Sequence, residues 1–160
     1  HLGWQEKSQA SSKLFPWLKT TVGTVCLIIA TIWATSLVMQ GPGISWQTYS
    51  EQLLQDAAAQ NKPVIIDFYA DWCAPCREFD EIVFHHPEVV QQGENDFIMI
   101  KVDVTKGGNP EHKRLLNQYN VKGVPTVVFL DAEGRERSDL RLVDYLSPSM
   151  FLVHMASVRK

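Results

Sequence analysis

Apolar positions along the chain change their spacing several times, and each change marks an element. From Thr20 to Gln40 there is no charged residue. A helix of that length spans about 30 Å, the thickness of a bilayer's hydrocarbon core, and Gly41-Pro42-Gly43 ends it. A cleaved signal peptide and a buried core helix are the alternatives. The run is long for a signal core, and Ala34-Thr35-Ser36 is a poor cleavage site. Ile44-Ser45-Trp46 reads as a short edge strand. Tyr49 to Gln60 reads as a helix with Leu53, Leu54, Ala57 and Ala58 on one face.

Val64 to Ala70 is an almost unbroken apolar, β-branched run, the pattern of a strand buried on both faces. Cys73 to Phe84 and Pro87 to Gln92 follow as helices, with the break His85-His86-Pro87 between them. Phe97 to Val104 is a second central strand, Thr105 to Asn109 a loop, and Pro110 to Tyr119 a helix with Leu115, Leu116 and Tyr119 inward. Val124 to Leu130 is a third strand. Asp131-Ala132-Glu133-Gly134 turns it into a fourth, Ser138 to Val143, and Ser147-Pro148 opens a last helix to Val158. Strands alternating with helices, then a hairpin and a helix, predict an α/β sandwich around a mixed sheet.

Composition narrows the function. Of the 160 residues 45% are hydrophobic and 21% charged, which suits a folded protein. A net charge of −3 gives nucleic-acid binding no electrostatic support. Lys7, Lys13 and Lys19 against Glu6 leave residues 1–40 at +2 and the remainder at −5. With the lysines on its N-terminal side, the apolar run is oriented with the N-terminus in the cytoplasm and Gly41 onward outside. The resulting division is a cytoplasmic-side juxtamembrane segment 1–19, a transmembrane helix 20–40 and a folded domain 41–160.

Cys26, Cys73 and Cys76 are too few for a disulfide-stapled fold, and no second Cys/His pair completes a four-ligand zinc site. Cys26 falls inside the apolar run and reads as a small packing residue. Cys73-Ala74-Pro75-Cys76 sits where a strand passes into a helix. There the helix's unpaired N–H groups and dipole favour a thiolate on the first sulfur, and the second, one turn on, can resolve a mixed disulfide. Cys73 is thus the candidate nucleophile, expected to be exposed, and Cys76 the more buried resolving thiol. Pro75 fits the first helical turn. Asp67, a carboxylate in an apolar strand, is expected to be desolvated with its pKa raised.

Trp72-Cys73-Ala74-Pro75-Cys76 together with Gly123-Val124-Pro125-Thr126, in this order of elements, resembles the thioredoxin fold over about Ile44 to Lys160. Tyr69-Ala70-Asp71-Trp72, Arg77-Glu78-Phe79-Asp80 and Ile100-Lys101-Val102-Asp103-Val104-Thr105 are similar, more narrowly, to the C-terminal periplasmic domain of the DsbD family of thiol:disulfide interchange proteins. Ala74-Pro75 is closer to general thioredoxins than to the Val-Ala dipeptide of that family's best-known member. The resemblance implies a redox-active Cys73–Cys76 disulfide and a catalytic set of Cys73, Cys76, Asp67 and Asp80. It places Lys101 near Asp67, with Pro75 tuning the potential. It makes Trp72, Val124 and a cis Pro125 the partner-docking surface.

It further implies a reductase on the outer face of a bacterial inner membrane. Such a protein takes electrons from a membrane-embedded cysteine pair and passes them to a periplasmic thioredoxin-like or disulfide-bearing domain, without a cofactor or metal. A free-standing tethered reductase for cytochrome c maturation, an oxidase or isomerase, and a non-catalytic docking module are the competing readings.

Overall fold

The computed structural model describes residues 19–34 and 41–159. The chain divides into two units, His1–Gly41 and Pro42–Lys160. In the first, residues 19–34 are helical, with Leu27, Ile28 and Trp33 exposed and Cys26 a free exposed thiol. Among the described residues no helix is long and apolar enough to cross a membrane. The expected span reaches on into residues 35–40, outside the described residues.

The second unit contains the sheet. Its elements are β1 (Gln47–Thr48), α1 (Glu51–Ala59), β2 (Val64–Tyr69), α2 (Ala74–Ile82), α3 (Pro87–Asp96), β3 (Ile98–Asp103), α4 (Pro110–Gln118), β4 (Thr126–Leu130) and α5 (Pro148–Val158). The strand order is β1-β3-β2-β4. β1, β3 and β2 run parallel and β4 antiparallel, the mixed sheet expected. β2 lies between two partners and five of its six residues are buried, which accounts for its nearly continuous apolar run.

Alternation along the strands sorts the core into two layers. Ile65, Met99, Val127 and Phe129 pack with Phe79, Phe84, Phe151 and Met155 of α2, α5 and the turn after α2. Val64, Ile66, Phe68, Ile100 and Val128 pack on the other face with Ala57 of α1 and Leu115 of α4. Asp67 follows the parity of Ile65, so its carboxyl lies on the α2 side of the sheet. α1 starts at Ser50, whose hydroxyl accepts the Leu53 N–H at 3.1 Å. Ser50→Ala is expected to lower stability by about 1 kcal/mol, read as a lower denaturant midpoint with an unchanged slope.

Beyond shifts of one or two residues at element ends, three elements depart from the sequence pattern. The edge strand is Gln47–Thr48 rather than Ile44–Trp46, because Ile44 donates its N–H to the Phe84 carbonyl at 3.2 Å and buries its side chain in the core. α3 continues past Gln92 to Asp96, through a buried Gly93 where an added Cβ would stand 3.4 Å from Met99 Sδ. That is an ordinary contact distance, and the glycine does not end the helix. The fourth strand, expected at Ser138–Val143, is absent. Residues Ser138–Leu140 form a 3₁₀ turn, and single bridges, Val127 to Leu142 and Leu130 to Glu136, stand in for the ladder. Arg137 curls this segment by gripping Asp139 through Nε and Nη2 while Nη1 reaches the Ser157 carbonyl.

Candidate active site around the Cys73–Cys76 disulfide

β2 ends at Tyr69, and three residues, Ala70, Asp71 and Trp72, carry the chain from it to Cys73, the N-cap of α2. That short passage is fastened on both sides. Asp71 N–H donates to Thr105 Oγ1 at 2.9 Å, and the Asp71 carbonyl accepts from Arg77 Nη1 at 2.9 Å. Cys73 N–H closes a turn onto the Ala70 carbonyl at 3.0 Å. Thr105 is itself oriented by Asp103, which accepts its N–H at 2.8 Å. Thr105 falls in a predicted loop and Arg77 on a predicted helix, with nothing in the sequence beside either to mark these bonds. One bond crosses from the turn to the loop after β3 and the other from α2 back to the turn, so no helical or strand periodicity announces them.

Cys73 and Cys76 are joined by a disulfide, S–S 2.03 Å, with Cα atoms 5.3 Å apart. The Cys76 N–H points at Cys73 Sγ from 3.2 Å. The first sulfur therefore occupies the capping position of α2, where a backbone donor and the helix dipole stabilise negative charge. The expected exposure difference is not found. Cys73 is 4% and Cys76 6% accessible, because both pack with Ala70 beneath Tyr69, Val104 and Val124. Trp72 beside them is 67% exposed, which excludes a core role.

Behind the pair lies a cleft of about 410 Å³, walled by Tyr69, Asp71, Cys76, Arg77, Asp80 and Lys101. Asp67 and Lys101 are register partners on β2 and β3. Lys101 Nζ makes its ion pair with Asp80, at 2.5 Å. Lys101 thus connects two acids. Burial pushes the Asp67 carboxyl up to about 7; the Lys101 cation opposes this and the Asp80 charge adds to it. Asp80 is held in that ion pair, not loosely solvated as an ordinary helix-surface acid would be.

On the other side of the disulfide the Val124–Pro125 bond is cis. Val124 and Pro125 line a cleft of about 320 Å³ with Lys122, Gly123 and the exposed Val143. Pro75 occupies the first turn of α2. Another cleft, of about 740 Å³, is at the far end of the sheet near Pro63 and Asp131. Its arginines are tied to Asp96, Asp131, Glu133 and Asp139, and it carries no reactive group. Cys76 lines the cleft of about 410 Å³, and Val124, which packs on the cysteine pair, lines the one of about 320 Å³; the pair itself is a two-electron dithiol/disulfide couple.

Residues 45–132 match the family described as thioredoxin-like. The thiol:disulfide interchange protein DsbD of Yersinia pestis is 40% identical over 99 residues, covering 62% of this chain and 16% of that protein. Its Klebsiella pneumoniae counterpart is 39% identical over the same length. The chain therefore spans about a sixth of the length of these curated relatives. Among solved structures, the oxidised C-terminal domain of Neisseria meningitidis DsbD superposes with a TM-score of 0.58 at 28% identity, covering 72% of this chain and 100% of that one. A thioredoxin from Thermus thermophilus gives 0.59 at 27%, covering 72% and 88%.

Proposed function

The chain belongs to the thioredoxin-like family, and from that premise we propose that it is a thiol:disulfide reductase held at the outer face of a bacterial inner membrane. The observation that carries this reading is the Cys73–Cys76 disulfide at the N-terminus of α2, with the buried carboxyl of Asp67 on the same side of the sheet.

In the reduced protein, the Cys73 thiolate attacks one sulfur of a partner disulfide. The partner's S–S bond breaks, a mixed disulfide forms, and the released partner thiolate takes a proton. Cys76 then gives its proton to Asp67 and attacks Cys73 Sγ. The mixed disulfide breaks, the second partner sulfur leaves as a thiolate and takes a proton from solvent or back from Asp67, the partner departs as a dithiol, and two electrons have moved. A carboxyl titrating near 7 can accept and return that proton at neutral pH. Trp72, Val124 and Pro125 form the docking surface, where an extended partner segment adds as a short strand. The cycle resets when a membrane-embedded cysteine pair reduces Cys73–Cys76 by the same exchange in reverse. The acceptor is a periplasmic thioredoxin-like or disulfide-bearing domain.

The membrane tether is residues 20–40. Support comes from the uncharged stretch and from the hydroxyls within it: Thr24 and Thr31 bond back to the Thr21 and Ile28 carbonyls at 2.9 and 2.8 Å, so these polar groups need no water. Tethering raises the local concentration of donor and acceptor.

The test is a redox titration of the chain against glutathione or dithiothreitol. A reductase is expected at about −220 to −270 mV, and a value near about −120 mV would mark an oxidant and reverse the electron flow.

A further inference from the structure

Lys101 is held by more than its ion pair. Its ammonium lies over two aromatic rings, 4.6 Å from the centroid of Tyr69 and 5.1 Å from that of Trp46. Tyr69 is the last residue of β2, and Trp46 comes just before β1, outside any sheet pairing. Trp46 is fixed by an edge-to-face contact with Phe84, centroids 4.8 Å apart. Thr48 pairs with Lys101 across β1 and β3, which sets the distance from Trp46 to the lysine head. Two ring faces and one carboxylate thus close round a side chain that is only 19% exposed. A flexible four-carbon stem is thereby reduced to one arrangement.

We propose that Trp46 is a positioning residue for the exchange reaction: with Tyr69 it cages the Lys101 ammonium on the buried side of Cys76, and the fixed cation sets the pH at which Asp67 takes up its proton. The groups facing Asp67 are Lys101 on β3 and Asp80 on α2, the two whose charges act on it, in opposite directions. Asp71, Arg77 and Glu81 stand on the rim of the cleft that Lys101 and Cys76 line. Asp103, at the end of the lysine's own strand, acts on Tyr69. Of these, Lys101 alone is a cation brought to Asp67 by the sheet register. Loosening it takes away the one charge that favours the Asp67 carboxylate. The proton uptake invoked for Cys76 rests on the function proposed above; the cage itself does not.

The experiment is a carbon-13 titration of the Asp67 carboxyl in the full oxidised chain. In Trp46→Leu the midpoint is expected to rise by about half a pH unit, the size of a partly exposed cation–π contact. Trp46→Phe, which keeps a ring face, is expected to stay near the unsubstituted value. In a Lys101→Met background, Trp46→Leu is expected to move the midpoint no further. Tyr69→Leu removes the other ring, must shift the midpoint the same way, and replaces Trp46→Leu should that variant not fold. An unmoved midpoint in the folded leucine variants overturns the proposal. So does a shift of the same size without Lys101, since repacking alone would then explain it. The titration needs no exchange activity. An unsubstituted chain that reduces no disulfide would count against the proposed function, whatever the midpoint does.

Discussion

Replacing Cys73 with serine is expected to abolish disulfide reduction, with a loss of several orders of magnitude to the background of the uncatalysed thiol reaction. Its sulfur is the one that caps α2 and receives the Cys76 N–H. A serine hydroxyl in the same place is not ionised near neutral pH and cannot form the mixed disulfide. Cys76→Ser is expected to behave differently. The first attack still occurs, resolution does not, and a covalent complex accumulates that mass spectrometry reads directly. This pair of variants separates exchange from simple docking. If Cys73→Ser kept its reductase rate, the nucleophile would lie elsewhere. If partner capture and biological effect survived Cys73→Ser undiminished, the chain would be a binding module built on the Val124–Pro125 groove.

The second large effect concerns stability. The Asp67 carboxyl titrates near 7 in the folded chain and at 3.8 in the ordinary state. Between those values the folded protein holds a proton that the unfolded chain has released. Unfolding then releases a proton, so stability falls as pH rises from about 4 to about 7 and levels off above. At about 1.4 kcal/mol per unit, the fall is up to about 4 kcal/mol. Asp103, Asp131 and Asp139 are shifted downward, so their contribution is lost only as the pH drops below about 4. The raised tyrosines act above about 10. The intermediate window therefore belongs to Asp67 among the resolved shifts. Asp67→Asn is expected to flatten the slope and to be the more stable form at pH 8, measured by denaturant midpoints of the oxidised chain from pH 4.5 to 8. An unchanged slope in the asparagine variant would assign it to another group.

Much of this was legible in the sequence because it is written in local patterns. The run Val64 to Tyr69 announces a central strand, since burial on both faces leaves almost no polar position. Proline at the first turns of α2, α3, α4 and α5 fixes where those helices begin. The cysteine pair and the odd carboxylate at Asp67 stand out against their neighbours. What escaped depends on contacts between segments far apart in the chain. The helix expected to stop at Gln92 runs on through Gly93 to Asp96, packed against β3 and α5. The segment 138–143 has strand-compatible residues, yet the grip of Arg137 on Asp139 and on the last helix curls it. Trp46 reads as a member of an edge strand. Its place over Lys101 follows only once the β1–β3 register is known.

Asp67 bears on the chain before it folds as well as after. Without it, Val-Ile-Ile-Asp-Phe-Tyr is an apolar β-forming segment without proline, the composition that self-associates when unfolded chains meet. In the unfolded state that carboxyl is solvated and ionised at neutral pH, so each exposed copy of the segment carries a negative charge at its centre, and parallel in-register stacking sets like charges against each other. Native β2 can tolerate the acid because β3 brings Lys101 alongside it and burial lets it hold a proton. A misassembled stack of identical chains offers the same register no lysine. The group that weakens the folded domain at high pH is therefore expected to oppose aggregation of the newly made chain, and Asp67→Asn to gain stability while losing soluble yield on refolding, read as turbidity at equal chain concentration.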